Sequence, residues 1–148
     1  MTADRARIGR RSRRKGKTWE RAVVTALRAV GIDAKRGWWQ SRGGGEVADV
    51  VTPRLWIECG CGAAVDGARK LAQAIGYCDH DTNRRIPVAI TRRTGSRRIE
   101  VTMRMGDLLA MAEGNVGAFD AETIVTLTFG VWVPVAVAHE RRERSGVA

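Results

Sequence analysis

No stretch of these 148 residues is apolar for the roughly 18 positions that a bilayer span requires, and the amino terminus lacks the apolar core of a secretion signal. The chain is therefore expected to act in the cytoplasm. Three cysteines, an odd number in a chain of this size, argue against a disulfide framework. There is no internal repeat, which sets aside repeat architectures. Acid is scarce relative to base: 16 Asp and Glu stand against 26 Lys and Arg, leaving +10 and a pI near 10.9. Such a balance predicts a polyanionic partner.

What is present is ordinary for a globular domain, with 44% hydrophobic and 28% charged residues. The length allows one domain with a real core and an appendage. Residues 1–17 carry Arg5, Arg7, Arg10, Arg11, Arg13, Arg14, Lys15 and Lys17 against Asp4 alone. A block of like charge with little to bury predicts a disordered basic arm that lies along nucleic-acid phosphates. The plain alternative is a solubilising tail.

From Thr18 the pattern turns helical, with Trp19, Ala22, Val23, Ala26, Leu27 and Val30 on one face, Thr18 as N-cap and Gly31 as stop. Glu20 lies at the edge of that face, either as a helix-dipole acid or as a carboxylate leaning over a site. Residues 32–40 read as a strand. The loop that follows places Ser41 and Arg42 before three glycines, an arrangement that lets backbone approach a phosphate or simply turns the chain.

Two apolar runs, Ala48-Asp49-Val50-Val51 and Trp56-Ile57-Glu58-Cys59-Gly60, flank a turn at Pro53, and each contains one acid. Burying a lone carboxylate costs several kcal/mol, roughly 2–7 even for an uncharged polar group. Paired antiparallel, the two runs would aim Asp49 and Glu58 at one point and make an oxygen-lined site for a hard ion such as Mg²⁺. Otherwise each acid simply faces water. Asp66–Cys78 reads as a second helix, with Arg69, Gln73 and Tyr77 stacked at i, i+4 and i+8 and Lys70 beside them.

Residues 86–91 and 99–103 read as strands about the turn Thr94-Gly95-Ser96, where Arg92, Arg93, Arg97 and Arg98 form a second cationic patch. A short helix covers 107–111. Strands are expected at 124–129 and 131–138, the second interrupted by Pro134; this apolar end completes the core or meets a partner subunit. Cys59, Cys61, Cys78 and His80 offer a zinc alternative, against which stands the simple packing of buried free thiols.

Lys15-Gly16-Lys17-Thr18-Trp19-Glu20-Arg21, Gly31, Arg42-Gly43, Ala48-Asp49-Val50-Val51, Ile57-Glu58-Cys59 and Gln73-Ala74-Ile75-Gly76 form a pattern that resembles the Holliday-junction-resolvase branch of the PD-(D/E)xK nuclease superfamily, particularly its small archaeal and phage-type members. The resemblance covers about residues 15–112. It implies a restriction-endonuclease-like α/β core, with a central mixed five-stranded sheet flanked by helices, over residues 18–112; the basic arm and residues 113–148, read from their composition as a C-terminal strand extension, lie outside it. It further implies a homodimer, Mg²⁺- or Mn²⁺-dependent cleavage of branched DNA, and a prokaryotic or phage-infected cell as its setting.

By the same resemblance Glu20, Asp49 and Glu58 hold the metal, Ser41 and Arg42 reach the scissile strand, and Gln73 and Tyr77 form the Q-x-x-x-Y element. The family's lysine belongs two residues after Glu58, where this chain has Gly60. Three explanations stand: Lys70 or Arg69 replaces it, the protein binds branched or duplex DNA without cutting, or the position carries a deliberate inactivating change. A non-enzymatic packaging protein that uses the basic residues on phosphates alone is the remaining class.

Overall fold

The computed structural model describes residues 2–37, 47–113 and 120–142. Its elements run α1 (Thr2–Ala29), β1 (Lys35–Arg36), β2 (Val50–Val51), β3 (Leu55–Gly62), α2 (Gly67–Cys78), β4 (Ile86–Arg93), β5 (Glu100–Arg104), α3 (Met105–Met111), β6 (Ile124–Thr128) and α4 (Phe129–Arg142). The result is an α/β architecture: one open mixed sheet of six strands, flanked by helices, whose spatial order is β1 to β6. Every neighbouring pair is antiparallel except β3 and β4, which α2 connects in parallel.

Strand alternation sorts the side chains between two layers. Val50, Ile57, Cys59, Val88, Ile90, Val101 and Met103 face Trp19, Val23, Val24 and Leu27 of α1 and Trp132 and Ala136 of α4. Trp56 faces the other way, clustering with Ala48 and with Ala74 of α2. Asp66 caps α2 by accepting from the amides of Ala68 and Arg69. Gly31, at φ +87°, closes α1 as anticipated, because a side chain there would be strained.

The structure departs from expectation at both ends. The basic arm is not disordered: α1 is continuous from Thr2, 28 residues or about 42 Å long. Arg and Lys are good helix formers, and no proline interrupts the segment. Thr18 is consequently not an N-cap; in mid-helix its hydroxyl donates to the Arg14 carbonyl at 2.9 Å.

At the other end, 124–128 is a strand as expected, but it joins the sheet as a sixth member instead of forming a separate extension. The segment 131–138, read as a strand from its alternating valines, lies within the helix α4. Burial there falls on Trp132, Ala136, His139 and Glu140, a spacing of four, three and one that is helical. Thr52, just after β2, donates to Glu140, and Arg142 donates to the Met111 carbonyl, which binds α4 to the body of the protein. Trp132 is fully buried, its ring 5.9 Å from that of Phe129. We expect Trp132→Ala to destabilise the fold by about 3–5 kcal/mol in urea titration, the usual cost of emptying so large a core site.

The expected strand over 32–40 is confined to Lys35–Arg36, and Trp38, Trp39 and Gln40 lie outside the described residues, as do Ser41, Arg42 and the three glycines. No helix among the described residues is long and apolar enough to cross a membrane.

Candidate active site

The short turn at Pro53 pairs β2 with β3 so that Val51 opposes Trp56 and Val50 opposes Ile57. One step further, Asp49 opposes Glu58. β2 begins only at Val50, so Asp49 has left the ladder; its Oδ2 accepts from the Cys59 amide at 2.9 Å and its carbonyl accepts from Gly37 at 3.2 Å. Its carboxyl thereby stands in hydrogen-bonding range of the Glu58 carboxyl. Glu58 is 2% exposed. Burial first, and the Asp49 charge second, raise its pKa to about 7, against the lowering effect of the Trp56 hydrogen bond and of Lys70.

Both oxygens of Glu58 are held. Trp56 Nε1 donates to Oε1 at 3.2 Å, and Gln73 Nε2 donates to Oε2 at 3.0 Å. Gln73 in turn accepts from Lys70 Nζ at 3.4 Å through its own Oε1. A chain of contacts therefore runs Lys70, Gln73, Glu58, Trp56. Lys70 reaches this position across Gly60: a Cβ built on that glycine would lie 3.3 Å from Lys70 Cγ and 2.8 Å from Val65 Cγ2. The space a side chain at residue 60 would need is shared by Val65, Thr91 and the lysine stem. Arg69, the other candidate cation, has its amide on the Asp66 cap.

The three expected acids do not all gather. Glu20 lies 18% exposed and ion-paired with Arg36 of β1 at 2.6 Å, with Arg36 Nε donating to the same oxygen at 2.9 Å. That guanidinium, with nothing in the sequence to mark it as a partner, satisfies the charge that was expected to lean on a metal. Burial first, then the charges of Asp49, Glu20 and Glu58, push up the Cys59 thiol, so Glu20 remains within electrostatic reach of the pair. Among the described residues no group of three or more His, Cys, Asp or Glu is arranged to hold a metal.

The zinc alternative fails on topology. Cys59 and Cys61 face the α1 layer, whereas Cys78 packs beside Trp56 and Tyr77 on the opposite face, so the thiols cannot converge with His80. All three cysteines are free. Burial pushes the Cys78 thiol up to about 12, which disfavours the thiolate a metal would need.

The donor set that remains suits a hard divalent cation. Two carboxyls share one place, and the repulsion between them is relieved either by a proton on Glu58 or by a cation between them. Tyr77, one turn beyond Gln73 on α2, turns to the Trp56 ring at 6.2 Å and so supports the indole that holds Glu58. Trp56 was missed in the sequence. Its signal was the alternation that places residues 56 and 58 on one face of one strand.

The cationic residues divide. Arg10, Arg11, Arg14, Lys15 and Arg92 line one cleft, while Arg13 and Lys17 do not. Arg92 stacks on Trp19, 4.6 Å from the ring centroid. The expected hairpin patch does not act as a unit, since alternation sends Arg93 to a different hollow beside Asp66 and Glu100. Arg98 is paired with Glu100 at 3.3 Å, and Arg97 is exposed. No protein-family model matches the chain, and no curated protein matches it.

Proposed function

We propose that this protein is a divalent-metal-dependent, structure-selective endodeoxyribonuclease with a restriction-endonuclease-like core, acting as a homodimer on four-way or other branched DNA junctions in the manner of the Holliday-junction resolvases it resembles. The observation that carries this reading is the Asp49–Glu58 pair approached by Lys70 from α2. Asp49 and Glu58 are the residues that would hold Mg²⁺ or Mn²⁺, with Glu20 held back by Arg36. When bound, the ion would supply Lewis-acid polarisation of a phosphoryl oxygen.

The chain's own residues supply the rest. Asp49 is anchored by the Cys59 amide, and Glu58 by Trp56 and Gln73, so the two carboxyls are positioned in advance. Lys70 brings a positive charge beside the pair, where it would offset the charge that builds on phosphate in the transition state. A twofold dimer would present one such site to each of two strands, in keeping with the symmetry of a four-way junction.

The test is incubation of a labelled four-way junction, and of linear duplex of the same sequence, with millimolar Mg²⁺ or with EDTA. Paired nicks near the branch in Mg²⁺ alone are expected. An intact junction in both Mg²⁺ and Mn²⁺ would refute cleavage and leave the second reading, a nuclease-fold protein that binds branched or duplex DNA without cutting it. Gly60, standing where the family's lysine belongs, is the feature in that reading's favour.

A further inference from the structure

The cleft beside α1 gathers basic side chains on a wall without acids. Outside it, five arginines are ion-paired: Arg36 with Glu20, Arg85 with Asp81, Arg98 with Glu100, Arg104 with Asp107 and Arg142 with Glu113. In this cleft of about 780 Å³, Arg10, Arg11 and Arg14 have no carboxylate partner among the described residues, and no Asp or Glu lines the wall. Arg10 and Arg14, and likewise Arg11 and Lys15, stand one helical turn apart. Like charges at that spacing destabilise a helix by about 0.2–0.5 kcal/mol per pair unless an anion intervenes.

The cleft is also rigid. Trp19 is 3% exposed and its indole donates to the Ile90 carbonyl at 3.4 Å, so the ring that carries Arg92 cannot turn. Stacking at 4.6 Å holds the Arg92 guanidinium while leaving its N–H edge free of any hydrogen bond among the described residues. A fork fixed in this way suits bidentate contact with a phosphate. Lys15 Nζ donates to Thr94 Oγ1 at 2.7 Å, and Cys61 Sγ lies 3.9 Å from the Lys15 carbonyl, so helix and sheet form one wall. Cys61 follows Glu58 by three residues on β3, about 10 Å along the strand.

We propose that this cleft is a preformed, metal-independent seat for the phosphodiester backbone of DNA, in which Arg92, Arg10 and Arg14 take successive phosphates. The inference rests on DNA being the partner, as in the function proposed above, but not on cleavage. It makes the first half of α1 a fixed part of the binding surface instead of a tail that condenses on DNA without geometry.

The test measures binding of a fluorescent four-way junction by anisotropy in EDTA over a range of salt concentrations. Each phosphate contact removed is expected to lower the slope of log K against log salt by about 1. Arg92→Ala should therefore lower it by about 1, and the double variant Arg10→Ala/Arg14→Ala, which leaves Trp19 untouched, by about 2. Arg84→Gln, before β4 at the other end of the sheet, should leave the slope unchanged. Equal losses in all three variants would mean a diffuse field and overturn the seat.

Alkylation provides an independent readout. Bound DNA should slow iodoacetamide labelling of Cys61 several-fold and leave Cys78 unaffected; equal rates with and without DNA would place the backbone elsewhere. An RNA duplex that displaced the DNA at equimolar competitor would overturn DNA as the source of the phosphates. Because every arm is run without metal, failure of cleavage leaves this inference intact, and failure here leaves the cleavage assay to stand or fall alone.

Discussion

Lys70→Ala is expected to slow Mg²⁺-dependent junction cleavage by about 10²- to 10³-fold, the range usual for removing one preorganised electrostatic contact to a transition state. Affinity for the junction in EDTA should change by less than about threefold, since a single cation contributes about one counterion to the salt slope. The reason is local: the Lys70 stem crosses the space over Gly60, and its ammonium reaches Glu58 through Gln73. A restoring variant isolates the role of the ammonium group. In Gly60→Lys alone, the new Cβ would meet Val65 Cγ2 at 2.8 Å and Lys70 Cγ at 3.3 Å, so crowding should lower stability without raising the rate. With Lys70 truncated, one of those contacts disappears, and Gly60→Lys/Lys70→Ala should recover at least tenfold of the lost rate. A Lys70→Ala enzyme as fast as the parent would remove Lys70 from the mechanism.

The second large effect is on stability and its pH dependence. Folded Glu58 keeps its proton up to about 7, whereas an unfolded glutamate releases it near 4.3. Between those values the folded chain binds more protons than the unfolded one, so stability falls as pH rises. The penalty is absent below about pH 4 and complete above about pH 7. Glu58→Gln removes it, and at pH 8 should stabilise the metal-free protein by about 2–3 kcal/mol, roughly 5–10 °C in Tm. At pH 5 the advantage should largely vanish. Millimolar Mg²⁺ should raise the Tm of the parent at pH 8 and leave Glu58→Gln nearly unmoved, because only the ionised pair attracts the ion. A Tm difference between parent and variant that ignored both pH and Mg²⁺ would show that the two carboxyls do not share one site.

Much of this arrangement was legible in the sequence, and the reasons are specific. The β2–β3 pair could be read because alternation and the Pro53 turn leave little freedom in register, which is why Asp49 and Glu58 meet. The apolar stripe of α2 was equally plain, with Leu71 and Ala74 buried. Contacts between elements were not legible. Whether Lys70 or Arg69 approaches Glu58 depends on how α2 is rotated against the sheet, and Glu20 was captured by Arg36 of a two-residue strand. The valines of 131–137 alternate as a strand would, yet the helical spacing of Trp132, Ala136 and His139 prevailed because the face opposite Val50 and Ile57 needed a large ring. Composition alone misjudged the arm, since charge repulsion was weighed without the docking of Lys15 and Trp19 on the sheet.

That α1 is a single rod has a mechanical corollary. Its amino half carries Arg10, Arg11 and Arg14, and its carboxyl half is wedged into the interior by Trp19, Val23 and Leu27 within one continuous helix. A load applied at Arg10 is therefore delivered to the packed interior without slack. Whatever the basic end grips must move as one body with the strand that carries Glu58.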